Sequence, residues 1–203
     1  MPHADSAHVP ESITARQQFW DHVHEQLVHL LADQRAWVSN LANAASLIYN
    51  SLVAFPLFGS GDNAVNWCGF YIHSSYFPRP RNHPPADHVP SHPHILLLGP
   101  FCGKPACQFI NVSPANPRGV CADAFLRQSS KLVPDVNAYP GHIPCDTDTK
   151  SELVVPLILD SPRDRLSVVG VLDLDCLALS GFQEEDRLGL ERIARLITDS
   201  CDW

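Results

Sequence analysis

The sequence predicts an α+β fold in which a mostly antiparallel central sheet is flanked by N-terminal and C-terminal helices. Three observations carry that expectation. Two helix-period segments precede any strand pattern, a series of short β-branched and aromatic runs follows, and one more helix-period segment closes the chain. With 203 residues, 45% of them hydrophobic, there is material for one sizeable core. We expect a flexible tail over 1–12 and a single domain over 13–203 with a Pro/His-rich insertion at 76–93.

The first helix is read from Phe19, Val23, Leu27, Leu30 and Leu31 at three- and four-residue spacing, with Asp21, Glu25 and Gln26 between them. A second carries Trp37, Leu41, Ala44, Ala45, Ile48 and Leu52, and Pro56, Gly59 and Gly61 end its pattern. The runs WCGFYI (67–72), HILLLG (94–99) and ACQFINV (106–112) read as strands bounded by Gly and Pro. A short helix over 120–128 and a strand near 131–136 come next, then a turn-rich loop over 137–150. ELVVPLIL and VVGVLDLD read as adjacent strands joined by the charged turn SPRDR. The last helix is expected to begin near Ser180, whose spacing to Gln183 suggests a capping box, and to bury Leu190, Ile193, Ala194 and Ile197. The segment FPRPRNHPPADHVPSHP holds six prolines and almost nothing able to pack, so an exposed loop is expected there. Its His83, His88 and His92, with the adjacent His94, are read as loop residues rather than metal ligands, because stiff proline spacing opposes their convergence.

Fourteen Lys+Arg against twenty-two Asp+Glu give a net charge of -8 with no basic run, which disfavours phosphate-backbone binding and hence nucleic-acid partners. No apolar run approaches membrane-spanning length, and the N-terminal MPHADSAHVPES lacks the basic and apolar regions of a signal peptide. The expectation is a protein that is neither membrane-bound nor secreted. Seven cysteines without C-x-x-C pairs suit neither a secreted disulfide framework nor a zinc ribbon. In a reducing compartment they are buried apolar groups or redox groups.

Five blocks carry a family resemblance: NWCGFY at 66–71, LGPFCGKPAC at 98–107, RGVC at 118–121, VPDVNAYPGHIPCDTDTKSELVVPL at 133–157, and GVLDLD at 170–175. The chain resembles a GAF domain, and within that fold the free methionine-(R)-sulfoxide reductases. The resemblance implies Cys145 as nucleophile, Cys107 and Cys121 as the other redox cysteines, and Glu152, Asp173 and Asp175 as active-site carboxylates. It also implies Trp67 and Tyr71 as substrate contacts. Thioredoxin, fed by NADPH, is the implied reductant. No bound cofactor or metal, a homodimer, and a cytoplasmic or cytoplasmic and nuclear location are implied as well. Extra residues within NVSPANP, Pro117 and Ala122 in place of frequent glycines, and the added thiol Cys102 depart from the pattern. They leave Cys107, Cys121 and Cys102 all open as the resolving thiol.

The residue types suit that chemistry. A thiolate must attack the positively polarised sulfur while the oxygen, a poor leaving group as oxide, is protonated. Cys145 lies in a polar loop beside His142, Asp146 and Asp148, where a thiol can be partly exposed. Asp173 and Asp175 stand at i and i+2 on an expected strand and therefore share one face. Two carboxyls on an enclosed face raise at least one pKa, which keeps a proton available at neutral pH; the sequence leaves open which of the three donates. Trp67 offers a flat wall for the methionine side chain. The resulting sulfenic acid condenses with a nearby thiol. Cys68, Cys176 and Cys201 fit packing roles. A non-catalytic GAF sensor is the main alternative; it is expected to accompany an effector domain and has no need of these cysteines. A Cys145–His142 hydrolase pair is disfavoured, since residues three apart in a loop rarely place the base correctly.

Overall fold

The computed structural model describes residues 7–59, 61–78, 94–143, 145–160 and 167–203. Most of the proline-rich insertion, with His83, His88 and His92, lies outside the described residues, as do the SPRDR turn and positions 1–6. The elements run α1 (Arg16–Leu30), α2 (Trp37–Ala54), β1 (Val65–His73), β2 (Ile95–Gly103), β3 (Phe109–Asn111), α3 (Val120–Arg127), β4 (Lys131–Val133), β5 (Ser151–Ile158), β6 (Val168–Cys176) and α4 (Glu184–Asp199). The six strands form one sheet in the order β3-β2-β1-β6-β5-β4, and every neighbouring pair is antiparallel.

Strand periodicity sorts the side chains into two layers. Cys68, Phe70 and Ile72 of β1, Leu153, Val155 and Leu157 of β5, and Leu172 and Leu174 of β6 pack beneath α1, α2 and α4. There Phe19, Val23 and Leu27 of α1 meet Leu190, Ile193 and Ile197 of α4, all of them inaccessible to solvent. Each such side chain contributes roughly 1.5–3 kcal/mol of burial. The alternate residues Trp67 and Tyr71, Val154, and Val171 face the other way, toward α3. Asp173 and Asp175 belong to that second face by the same alternation. Cys68, Cys176 and Cys201 are buried in the first layer, as their positions in the pattern predict.

Asp186 ties the helices together. It is fully buried, accepts from Trp20 Nε1 at 2.8 Å, and pairs with Arg16. It also corrects the expected helix start. The N-cap of α4 is Gln183, not Ser180, and Asp186 Oδ2 accepts from the Gln183 backbone N–H at 2.7 Å. Ser180 adopts a left-handed φ of 51° in the turn before it, and its carbonyl accepts from Gln183 Nε2 at 2.9 Å.

Two strands are shorter than predicted. The run from Ala106 joins the sheet only at Phe109, because Pro105 has no N–H to donate and the Cys107 carbonyl is taken by Tyr71 Oη at 3.0 Å. β4 stops at Val133 because Pro134 follows. At the other end of the chain, the part of the expected tail that is described lies against the helix layer: Ala7 and Val9 pack on the core, and the His8 carbonyl is 2.9 Å from His22 Nε2.

Candidate active site

The register of the central strands assembles the site. Asp175 on β6 stands between Trp67 on β1 and Glu152 on β5, and Asp173 stands between Gly69 and Val154. Gly69 is required by the close approach of its neighbours. A Cβ there would fall 2.4 Å from Phe101 Cβ and 2.5 Å from the Trp67 ring. With only hydrogen at that position, the Trp67 indole lies across the strand, stacked between Tyr71 (centroids 5.9 Å) and Phe101 (5.6 Å), and its Nε1 donates to the Lys104 carbonyl at 3.2 Å. Across the sheet face, α3 delivers Cys121 in its first turn; Gly119 precedes it with φ of 87°, a conformation that side chains rarely adopt.

These elements enclose a cavity of about 220 Å³. Its wall includes Trp67, Tyr71, Cys107, Cys121, Cys145, Glu152, Asp173 and Asp175, so all the sequence-predicted candidates but Cys102 face one space. Cys102 is not part of that wall. It stands in register with Cys68, whose side chain belongs to the layer under the helices.

Cys145 is an exposed residue whose thiol meets the cavity, 3.9 Å from Tyr71 Oη. The Cys107 thiol and backbone N–H lie beside the Cys145 sulfur. Burial, and then the Cys107 thiol, push Cys145 up to about 12. The Cys145 thiol therefore keeps its proton near neutrality. Cys121 is held differently: its thiol donates to Asp173 Oδ2 at 3.3 Å and is 3.8 Å from Glu152 Oε1. Burial pushes the Cys121 thiol well up, and the Asp173 and Glu152 carboxylates add to the rise.

All three carboxyls hold their protons more tightly than usual. Burial pushes Glu152 up to about 7, against the opposing pull of His142, whose Nε2 lies 3.6 Å from Glu152 Oε2. Asp173 is raised by burial and then by Glu152, and Asp175 by burial and then by Asp173. Asp173 Oδ1 is buried and has no hydrogen-bond partner among the described residues. A cluster of this kind can give a proton to an oxygen leaving group in its neutral form and receive an ammonium group in its ionised form.

Sequence reasoning did not assign three features of the site. His142 meets Glu152, although the sequence offered it only as a neighbour of Cys145. A polar latch holds the loop next to Cys145: Asn66 Nδ2 donates to Asp146 Oδ2 (3.2 Å) and Thr149 Oγ1 (3.0 Å), and Lys104 pairs with Asp146 (3.1 Å) and Asp148 (2.8 Å). Arg118 lines the cavity as a second cation beside Lys104. The signal for the latch was the opposite charge of GKPAC and CDTDTK, but spacing alone does not say that two distant blocks meet.

Fold and site define a GAF-domain protein whose pocket joins a thiol pair to a carboxylate cluster. A solved structure described as that of the GAF domain is 35% identical, with a TM-score of 0.79 over 100% of this chain and 98% of its own. No protein-family model matches the chain. The free methionine-R-sulfoxide reductase of Saccharomyces cerevisiae is 40% identical over 165 residues, 81% of this chain and 76% of the yeast protein. The free methionine-R-sulfoxide reductase of Neisseria meningitidis, solved in complex with its substrate, is 30% identical with a TM-score of 0.72 over 96% of this chain and 95% of its own. The chain belongs to the free methionine-R-sulfoxide reductase family.

Proposed function

We propose that this pocket reduces free L-methionine (R)-sulfoxide to methionine, with Cys145 as nucleophile and Cys107 as the resolving thiol. The observation that carries the reading is the convergence of Cys145 and Cys107 on one cavity walled by Trp67, Tyr71 and three proton-holding carboxyls. At about 220 Å³ the cavity is smaller than the roughly 300–1,000 Å³ of drug-sized ligand sites, which suits a single amino acid.

In the first step the Cys145 sulfur attacks the sulfoxide sulfur, a carboxyl of the cluster protonates the oxygen, and the thiol proton replaces the one given up; the hydroxyl then passes to the Cys145 sulfur as the transient sulfur–sulfur bond and the substrate S–O bond break. The products are methionine and Cys145 sulfenic acid. In the second, the Cys107 thiol attacks that sulfenic sulfur, a Cys145–Cys107 disulfide forms, and water leaves. Glu152 suits the proton donor role because its pKa of about 7 leaves it partly protonated near neutrality. The orphaned Asp173 Oδ1 suits the substrate ammonium, and Arg118 suits its carboxylate. Trp67 and Tyr71 flank the thioether carbons.

A dithiol must then reduce the disulfide by exchange. Thioredoxin, drawing on NADPH, is the donor we propose, with no bound cofactor, in a cytoplasmic homodimer. Among the described residues, no helix is long and apolar enough to cross a membrane. The test follows NADPH oxidation with thioredoxin and its reductase on the two separated sulfoxide epimers. Turnover of the R epimer alone, abolished in Cys145→Ser, is the expected result. A fully active Cys145→Ser enzyme would remove the assignment, and binding of the ligand without turnover would favour a sensor.

A further inference from the structure

We propose that Cys121, Glu152 and Asp173 form a binding site for a zinc-class divalent cation, and that the bound ion closes the pocket to substrate. The second half rests on the function proposed above; the first does not.

The three donors come from rigid elements, two from the central strands β5 and β6 and one from the first turn of α3. Their ligand atoms all lie within 4.8 Å of one another. Cys121 Sγ is 3.3 Å from Asp173 Oδ2 and 3.8 Å from Glu152 Oε1. In a tetrahedral zinc centre with Zn–S of about 2.3 Å and Zn–O of about 2.0–2.2 Å, the sulfur–oxygen edge is about 3.6 Å. The two sulfur–oxygen spacings therefore already match the edges of a metal centre, and the third pair of donors lies within reach of the same ion.

An independent observation points to a cation. Asp173 is 6% exposed, lines the cavity, and carries an Oδ1 with no partner among the described residues. A buried, unsatisfied carboxylate oxygen is costly, and a cation satisfies it. Burial raises the affinity of all three groups for protons, which holds down the charge of the cluster without an ion. A dication compensates the negative charge as the thiol and carboxyl protons are released to solvent, with no change of oxidation state. His142 Nε2, 3.6 Å from Glu152 Oε2, holds the carboxylate oxygen other than the one that faces Cys121. One thiolate among oxygen donors favours zinc over magnesium or calcium. The ion would occupy the oxygens that the substrate ammonium needs.

The test uses reduced, full-length protein kept in a phosphine reductant, which avoids the metal chelation of dithiols. Titration with Co2+ should produce a thiolate-to-cobalt charge-transfer band, and Zn2+ should displace it. Cys121→Ser should abolish the band. Glu152→Gln, a conservative change that retains the sulfur, should keep the band and weaken Zn2+ by at least about tenfold. Cys102→Ser, outside the cavity, should bind as the parent does. Absence of the band in the parent overturns the site. A band that survives Cys121→Ser and disappears in Cys107→Ser or Cys145→Ser also overturns it, because the ion would then sit on the other thiol pair. Zn2+ should inhibit reduction competitively with methionine sulfoxide. A Cys121-dependent band without such inhibition would uphold the metal site and refute the pocket as the place where the ammonium binds.

Discussion

Replacing Glu152 by Gln should stabilise the protein at alkaline pH and leave its stability in acid unchanged. Glu152 is 5% exposed, and burial raises its pKa from the ordinary 4.5 to about 7. Below pH 4.5 the side chain is neutral in the folded and unfolded chain alike, so it contributes no pH dependence. Between pH 4.5 and 7 the unfolded chain ionises while the folded one keeps its proton, and the parent loses stability as pH rises. Each tenfold difference in proton affinity is worth about 1.4 kcal/mol, so above pH 7 the accumulated loss is roughly 3 kcal/mol. Gln keeps the shape and cannot ionise. In a chain of this size about 1 kcal/mol moves Tm by roughly 2–4 °C, which gives roughly 6–12 °C in favour of the variant at pH 8.5. Thermal unfolding of both proteins from pH 4 to 9 measures this directly. Parallel Tm curves, or a difference that opens in acid instead, would refute the claim that burial dominates the environment of this carboxyl.

The remaining predictions concern the reaction and its walls. After one equivalent of sulfoxide in the absence of reductant, peptide mapping should recover Cys145 linked to Cys107; a link to Cys121 or Cys102 would contradict the thiol contact. N-acetylated methionine sulfoxide amide should lose about 100-fold or more in kcat/KM relative to the free amino acid, because a buried site for ammonium is then left unpaired; comparable rates would exclude the proposed role of Asp173. Arg118→Ala should raise KM with little change in kcat, and an unchanged KM would remove Arg118 from the carboxylate site. Gly69→Ala should cost roughly 1–3 kcal/mol and most of the activity, because a Cβ 2.5 Å from the Trp67 ring must displace it. A crystal structure of that variant with Trp67 unmoved would refute the explanation.

The sequence by itself determined the order of the elements and the face on which the chemistry lies. Helix periodicity placed α1, α2 and α4, and the strict alternation of β6 put Asp173 and Asp175 opposite Leu172 and Leu174 before any neighbour was known. The motif blocks named the thiols and carboxyls that line the cavity. Short-range patterns suffice for this, because periodicity is a property of a single element. They misplaced what depends on contacts between elements. The cap of α4 is decided by Asp186, which is buried because it also meets Arg16 and Trp20 of α1. β3 begins late because Tyr71 of β1 takes the carbonyl of Cys107.

The tertiary structure alone decided the partners of each cysteine. Three thiols remained open for the resolving role in the sequence, since loop lengths do not fix where a loop folds back. In space Cys107 lies beside Cys145, the Cys121 thiol faces two carboxyls, and Cys102 stands in register with Cys68 on a strand that keeps it out of the cavity wall. The same holds for His142 on Glu152 and for the latch of Asn66, Lys104 and Asp146. These contacts join residues from ten to eighty positions apart, and only the packing of the sheet against α3 and its loops brings them together. Proton affinities follow the same rule, because desolvation is set by everything that surrounds a group and not by its neighbours in the chain.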